Sequence, residues 1–175
     1  VAGANGGAVA FQNNGPPNEV DPSLVQDCEF KHNNASGTGG AIDVTTLFST
    51  LLVHTTLIHF NYAGDSGGGI SSSNDAIITV EDSVIANNAA RNNGGGVHVT
   101  ATALTVHNTS VLDCVAGATA GGISLTGETT TGEFYSTTFD FCNASKYGGA
   151  LAASNDVRQL TIEDGVFSRC HVREQ

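Results

Sequence analysis

The residues best suited to chemistry are two pairs of neighbouring acids, Glu81-Asp82 and Glu163-Asp164. Carboxylates bind Ca²⁺. With a Lys or Arg beside them to act as the base, such a site could cleave an acidic polysaccharide. Both pairs occupy one position of a repeated template, which Asp27 also shares with Asp82. The six Lys and Arg residues are scattered rather than grouped into a cationic groove. We therefore interpret the acids as a solvated face and predict no catalytic residue, with a polysaccharide lyase or hydrolase as the alternative.

The histidines and cysteines do not predict a metal site. None of the six His has the i, i+4 spacing of a helical zinc protease, so we interpret them as surface residues. The dispersed ones are His32, His59, His98 and His171. Cys114, Cys142 and Cys170 would stand in a line rather than around a tetrahedron. Stacked neighbours lie within disulfide range, but buried free thiols fit equally well, so their redox state stays open. No metal or other cofactor is predicted.

Six segments of the chain share one template. In each, an apolar residue is followed five positions later by a second, and three positions after that by Asn or Cys. A pair of small residues such as Gly68-Gly69 then precedes an aliphatic residue such as Ile70. The Asn or Cys positions are Asn33, Asn61, Asn88, Cys114, Cys142 and Cys170. The chain is therefore built from about six repeats of about 26–29 residues.

Repeats of this length predict a solenoid, in which each unit buries its apolar face by stacking on its neighbours. They contain no 3.6-residue pattern, and short runs such as 104–106 alternate with period two, as strands do. The paired Gly suit tight corners, where positive φ or close backbone approach excludes a Cβ. We therefore predict an all-β, right-handed, single-stranded parallel β-helix of about six coils.

The six Asn and Cys positions are predicted to form a structural ladder. Stacked Asn side chains can form amide hydrogen bonds along the axis of a parallel stack. The three Cys occupy the same position of the template as the three Asn. All six are therefore expected to be inward-facing corner residues rather than a binding site.

The composition excludes several classes of partner. The 175-residue chain has a formal net charge of −11, with six Lys and Arg against 17 acids. Nucleic acid requires clustered cations to displace its counterions, and so does an anionic membrane surface. No apolar stretch approaches the roughly 20 residues of a transmembrane helix. We predict no nucleic-acid partner and no membrane insertion by this segment.

No linker interrupts the repeats, so we expect one domain over residues 1–175. A protruding loop is predicted at residues 12–23, where two prolines follow Gly15 and lengthen the first coil. Neither end of the sequence carries the capping helix or polar final coil of an isolated solenoid. We expect a segment of a longer solenoid or filament. Neighbouring protein would cover both open ends, through self-association or continuation of the same solenoid.

Two tetrapeptides resemble a known family. Phe30-Lys-His-Asn33 and Gly39-Gly-Ala-Ile42 are similar to the repeat of the chlamydial polymorphic outer-membrane proteins, which couples F-x-x-N to G-G-A-[I/L/V]. Residues 6–9 and 148–151 match the second half of that repeat. The resemblance implies a surface-displayed β-helix with an adhesive or structural role.

These observations predict a non-enzymatic extracellular β-helix that serves as a surface stalk, adhesin passenger or filament building block. Host or matrix glycans are candidate ligands. A glycan-binding or ice-binding solenoid is a further alternative, because Thr55-Thr56, Thr109 and Thr137-Thr138 recur near equivalent positions. Secretion from a eukaryotic cell would expose three N-glycosylation sequons. They begin at Asn34, Asn108 and Asn143.

Overall fold

The chain folds into a parallel β-solenoid in the computed structural model, which describes residues 5–12, 23–154 and 156–173. The described residues form strands and turns without a helix. Every strand pairs in parallel with the equivalent strand of the next coil, and six coils stack over about five turns. The predicted all-β parallel solenoid is confirmed. The predicted loop at residues 12–23 lies, except for its first and last residue, outside the described residues.

Four six-stranded sheets run along the axis. Sheet I consists of Val9–Phe11, Ile42–Val44, Ile70–Ser72, Val97–Thr100, Ile123–Thr126 and Leu151–Ala153. Sheet II consists of Ser23–Gln26, Thr50–His54, Ile77–Glu81, Ala103–His107, Thr131–Tyr135 and Gln159–Glu163. Sheet III consists of Glu29–Lys31, Leu57–His59, Val84–Ala86, Ser110–Leu112, Thr138–Asp140 and Val166–Ser168. Sheet IV consists of Asn34–Ala35, Tyr62–Ala63, Ala89–Ala90, Val115–Ala116, Asn143–Ala144 and His171–Val172.

The core is a set of apolar columns that run along the axis. In sheet II, alternate residues of Thr50–His54 are buried, as period-two side chains require. Register places Val53, Val80 and Val106 directly above one another, all with no exposed surface. Burial of each such side chain contributes about 1.5–3 kcal/mol, so stacking supplies the stability that one coil lacks.

The chain turns at residues in the left-handed conformation. The corner between sheets II and III has one at Asp27, Thr55, Asp82, Asn108, Ser136 and Asp164. The corner between sheets III and IV has one at His32, Phe60, Asn87, Asp113, Phe141 and Arg169. Their φ values lie between 43° and 57°, a region that Asn and Asp tolerate better than other residues with a side chain. Each corner therefore repeats one backbone geometry although its residue types vary.

The paired small residues follow a third turn, between sheets IV and I. Positive φ falls on the residue before each pair, such as Gly67 with φ 70°. Gly68, the first of its pair, is required for a different reason. A Cβ at Gly68 would lie 2.2 Å from the carbonyl oxygen of Gly95 in the next coil. Close backbone approach between coils therefore selects glycine at this position.

Candidate functional site

The Asn half of the predicted ladder forms hydrogen bonds along the axis. Oδ1 of Asn61 accepts from the backbone N–H and from Nδ2 of Asn33, both at 2.9 Å. Oδ1 of Asn88 accepts from the same two groups of Asn61, at 2.9 and 3.0 Å. Nδ2 of Asn61 also donates to the carbonyl of Phe30, and Nδ2 of Asn88 to that of Ile58. Each amide thus joins its own coil to the next.

The Cys half occupies the same corner with weaker contacts. All four cysteines of the chain are free thiols. Sγ of Cys142 lies 3.4 Å from the carbonyl of Val111, and the N–H of Cys142 donates to Sγ of Cys170 at 3.4 Å. Hydrogen bonding with Cys114, together with burial, raises the pKa of the Cys142 thiol, and burial raises that of Cys170. The thiols of Cys142 and Cys170 therefore stay protonated and act as small packing groups.

A second polar column lies at the corner between sheets II and III. Its members are Thr56, Ser83, Thr109 and Thr137, each at most 3% exposed. Oγ of Ser83 accepts from the N–H of Thr56 at 3.0 Å, and Oγ1 of Thr109 accepts from the N–H of Ser83 at 3.3 Å. The expectation that Thr56, Thr109 and Thr137 contribute to an outward, water-ordering face is wrong. Their hydroxyls are used to join coils.

A third polar column lies on the outer face of sheet I, where Asp43, Ser71, His98 and Ser124 are in register. Asp43 has no exposed surface, Thr38 donates to its Oδ1 at 2.7 Å, and burial raises its pKa. Burial lowers the pKa of His98 to about 4, although Asp65 partly opposes this. His98 therefore lies on the outer face, as a surface residue does, but it is half-buried rather than exposed. In the sequence, the members of this column share only one feature: each directly follows the aliphatic residue of its repeat, as Ser71 follows Ile70.

An open cleft of about 530 Å³ lies over the later coils of this sheet. Ser124 lines its floor, and turns of neighbouring coils supply its walls. The other lining residues are Asn93, Thr119, Leu125, Thr126, Tyr147, Ala152, Ala153 and Ser154. The buried Oγ of Ser124 has no hydrogen-bond partner among the described residues, and neither has Nδ1 of His98. Sequence analysis did not identify this cleft.

The acidic pairs lie in one column but far apart. Register places Glu81 and Glu163 in the same position of sheet II, three coils apart. The hydrogen bond from Nδ2 of Asn108 to Oδ1 of Asp82, at 2.6 Å, lowers the pKa of Asp82, and His54 lies 3.2 Å away. Among the described residues, no group of three or more His, Cys, Asp and Glu could hold a metal ion.

The three sequon asparagines differ in exposure. Asn34 is exposed in sheet IV. Asn108 is exposed at the corner with φ 43°, and its amide is bonded to Asp82. Asn143 shares the register position of Asn34 but is half-buried, and its Oδ1 has no partner among the described residues. Exposure therefore favours Asn34 and Asn108 over Asn143 as glycan acceptors.

Comparisons with known proteins identify no relative: no protein family matches the chain, and neither does any curated protein or solved structure. The likeness to the chlamydial outer-membrane repeat therefore rests on the tetrapeptides alone. Within the described ranges there is no helix long and apolar enough to span a bilayer.

Proposed function

We propose that the chain is a non-enzymatic structural and adhesive solenoid displayed at the cell surface. The observation that carries this proposal is how the recurring polar side chains are used. The amides at the Asn positions and the hydroxyls at Thr56, Ser83 and Thr109 bond to neighbouring coils. Because these recurring side chains stabilise the stack, the residues on the outer faces can vary from coil to coil and contact other molecules.

Exposed apolar side chains mark a surface that a protein partner could cover. Ile162 and Phe167 are 40% and 47% exposed, whereas Phe134 and Phe139, their register partners in the previous coil, are fully buried. Exposed apolar side chains of this kind favour contact with another protein. We propose that a neighbouring protein molecule packs against them.

Surface display and adhesion can be tested together. Antibody against the chain should label intact source cells, and external protease should remove the label. Beads carrying the purified chain should bind extracellular matrix or cells more than beads carrying albumin. Labelling only after permeabilisation, or equal retention of both kinds of bead, would overturn the proposal. Release of reducing ends from polysaccharides by the purified chain would instead indicate an enzyme.

A further inference from the structure

We propose that the cleft over sheet I binds a short, uncharged oligosaccharide. This inference rests on the adhesive function proposed above and names the ligand that the adhesive surface would take. The cleft volume of about 530 Å³ falls within the range of 300–1,000 Å³ that small-molecule sites occupy. Its lining spans consecutive coils, so an extended ligand would follow the axis of the solenoid.

The lining has the chemistry that a neutral sugar requires. The hydroxyl of Thr119 and the amide of Asn93 can both donate and accept, as sugar hydroxyls do. The hydroxyls of Thr126 and Ser154 already donate to a carbonyl and a carboxylate of the chain, and they can still accept from a sugar hydroxyl. None of the nine lining residues is charged. Uronates, sulfates and phosphates are bound by Arg or Lys, so an anionic glycan finds no partner here.

Tyr147 supplies the apolar platform of the cleft. Its side chain is 68% exposed, the largest value among the exposed large hydrophobic side chains of the described residues. The face of a pyranose ring carries C–H groups that pack against an aromatic ring, while the tyrosine hydroxyl remains available for a hydrogen bond. An exposed aromatic ring beside hydroxyls and an amide therefore suits the two chemical characters of a sugar.

The floor provides a second, independent observation. Ser124 is 1% exposed, yet its hydroxyl has no partner among the described residues. Buried polar groups are almost always satisfied, and an unsatisfied one points to a missing partner. The neighbouring residue in the same column is Ala152, whose small side chain leaves room beside the Ser124 hydroxyl. A sugar hydroxyl in the cleft would supply the partner.

The same column is closed in the earlier coils, which confines the site. Asp43 occupies the equivalent position with no exposed surface, and Thr38 bonds to its Oδ1 at 2.7 Å. Its Oδ2 also has no partner among the described residues, but no open cleft lies over it. His98 is also mostly covered, and its Nε2 lies 3.2 Å from Oγ1 of Thr100. The open part therefore begins beyond His98 and extends over Ser124 and Ala152.

Titration of the purified chain with neutral tetrasaccharides of glucose, mannose, xylose and galactose, followed by ligand-observed NMR, tests the proposal. At least one should bind saturably, and tetragalacturonate should not. Tyr147→Ala should weaken binding at least about tenfold, whereas Tyr147→Phe should retain most of it. Tyr62→Ala is the matched control, because Tyr62 is 42% exposed on sheet IV, away from the cleft. Thermal unfolding of each variant verifies its fold.

The outcomes separate this inference from the proposed function. Absence of saturable binding by every neutral tetrasaccharide, or equal weakening by Tyr62→Ala and Tyr147→Ala, overturns the cleft assignment. If beads carrying the Tyr147→Ala variant adhere as well as beads carrying the unmodified chain, adhesion is retained and the cleft is rejected as the adhesive site. Tetrasaccharide binding by a chain whose beads do not adhere would support the cleft and reject the adhesive function.

Discussion

The three early coils have Asn at the corner between sheets III and IV, and the three late coils have Cys there. We call them the amide half and the thiol half, and their interiors contain different side chains on the same backbone. Around Asn61, the corner contains hydrogen-bonded amides, and the adjacent core position of sheet III contains Ile58 and Ile85. Around Cys142, the corner contains thiols, and the same core position contains Phe139 and Phe167. The rings of Phe139 and Phe167 stack with centroids 4.9 Å apart and an angle of 7° between their planes.

In four of the six coils, the sizes of the corner and core side chains vary in opposite directions. A thiol is smaller than an amide, and it accompanies the larger core side chains in the two last coils. The coils of Asn33 and Cys114 do not follow this pattern, because their core residues are Phe30 and Val111. The amide half gains directional bonds between coils, whereas the two last coils gain stacked aromatic surface. We infer that the repeat preserves the spacing between coils rather than one residue type at each position.

The largest effect is expected from removal of one amide. Asn61→Ala removes hydrogen bonds to Asn33, Asn88 and the carbonyl of Phe30, and leaves buried groups unsatisfied. We expect a loss of about 3 kcal/mol in the free energy of unfolding. Cys142→Ala, the matched change in the thiol half, should cost only about 1 kcal/mol. Urea unfolding of both variants tests this, and equal losses would eliminate the distinction between the halves.

Acid should weaken the coil that joins the two halves. His98 lies in that coil, and burial lowers its pKa to about 4 from an unfolded value of about 6.5. The unfolded chain therefore binds more protons between those values, and stability falls as pH decreases from 6.5 toward 4. The raised pKa of Asp43 acts in the opposite direction at the acidic end.

Between pH 7 and 5, His98 should therefore contribute a loss of about 2 kcal/mol in the free energy of unfolding. Urea unfolding across this range measures the loss. The His98→Gln variant should lack this part of the pH dependence. An identical slope in the variant and the unmodified chain would contradict the assignment of a buried neutral imidazole.

A smaller effect is expected from the aromatic core. Phe139→Leu removes the stacking with Phe167 and should cost about 1.5 kcal/mol. Ile58→Leu, at the same register position in the amide half, conserves volume and should cost less than about 1 kcal/mol. Thermal unfolding compares the two variants. A larger loss from Ile58→Leu would show that aromatic stacking does not compensate for the missing amides.

The smallest change should be stabilising. Ala120 has φ 55° at the turn where the equivalent residues of the other coils are glycine. Ala120→Gly should therefore raise the free energy of unfolding by about 1 kcal/mol. Ala118→Gly is the control in the same turn, because Ala118 has no positive φ and its replacement should lower stability. Destabilisation by Ala120→Gly would mean that the methyl group contributes more packing than the backbone strain costs.

The architecture could be predicted from sequence because the corner and core positions repeat at fixed spacing. Asn or Cys recurs in every coil, so the column around Asn61 and Cys142 has a sequence signature. The direction of a corner side chain has no such signature. Thr56 and Thr55 are neighbours of the same type, yet Thr56 is buried and Thr55 is exposed. The sequence pattern therefore places Thr56, Thr109 and Thr137 on an outward face, whereas the fold buries them.

The cleft could not be predicted because the polar column that leads to it, of which Ser124 is the part that lines the cleft, has no shared residue type. Asp43, Ser71, His98 and Ser124 are in register, but they differ in charge and size. Their burial depends on the neighbouring turns, whose residues also vary. Tyr147 aligns with Thr119, so the aromatic ring occurs once and does not appear as part of a pattern.

Hydrogen exchange at two equivalent backbone amides tests the difference between the two halves most directly. Asn61 and Cys142 are each second from an end of the column. The N–H of Asn61 donates to Oδ1 of Asn88 at 2.9 Å, whereas that of Cys142 donates to Sγ of Cys170 at 3.4 Å. NMR-detected exchange should be at least about tenfold slower at Asn61, which corresponds to about 1.4 kcal/mol. Equal or faster exchange at Asn61 would contradict the claim that the amide column holds the early coils together more strongly than the thiols hold the late ones.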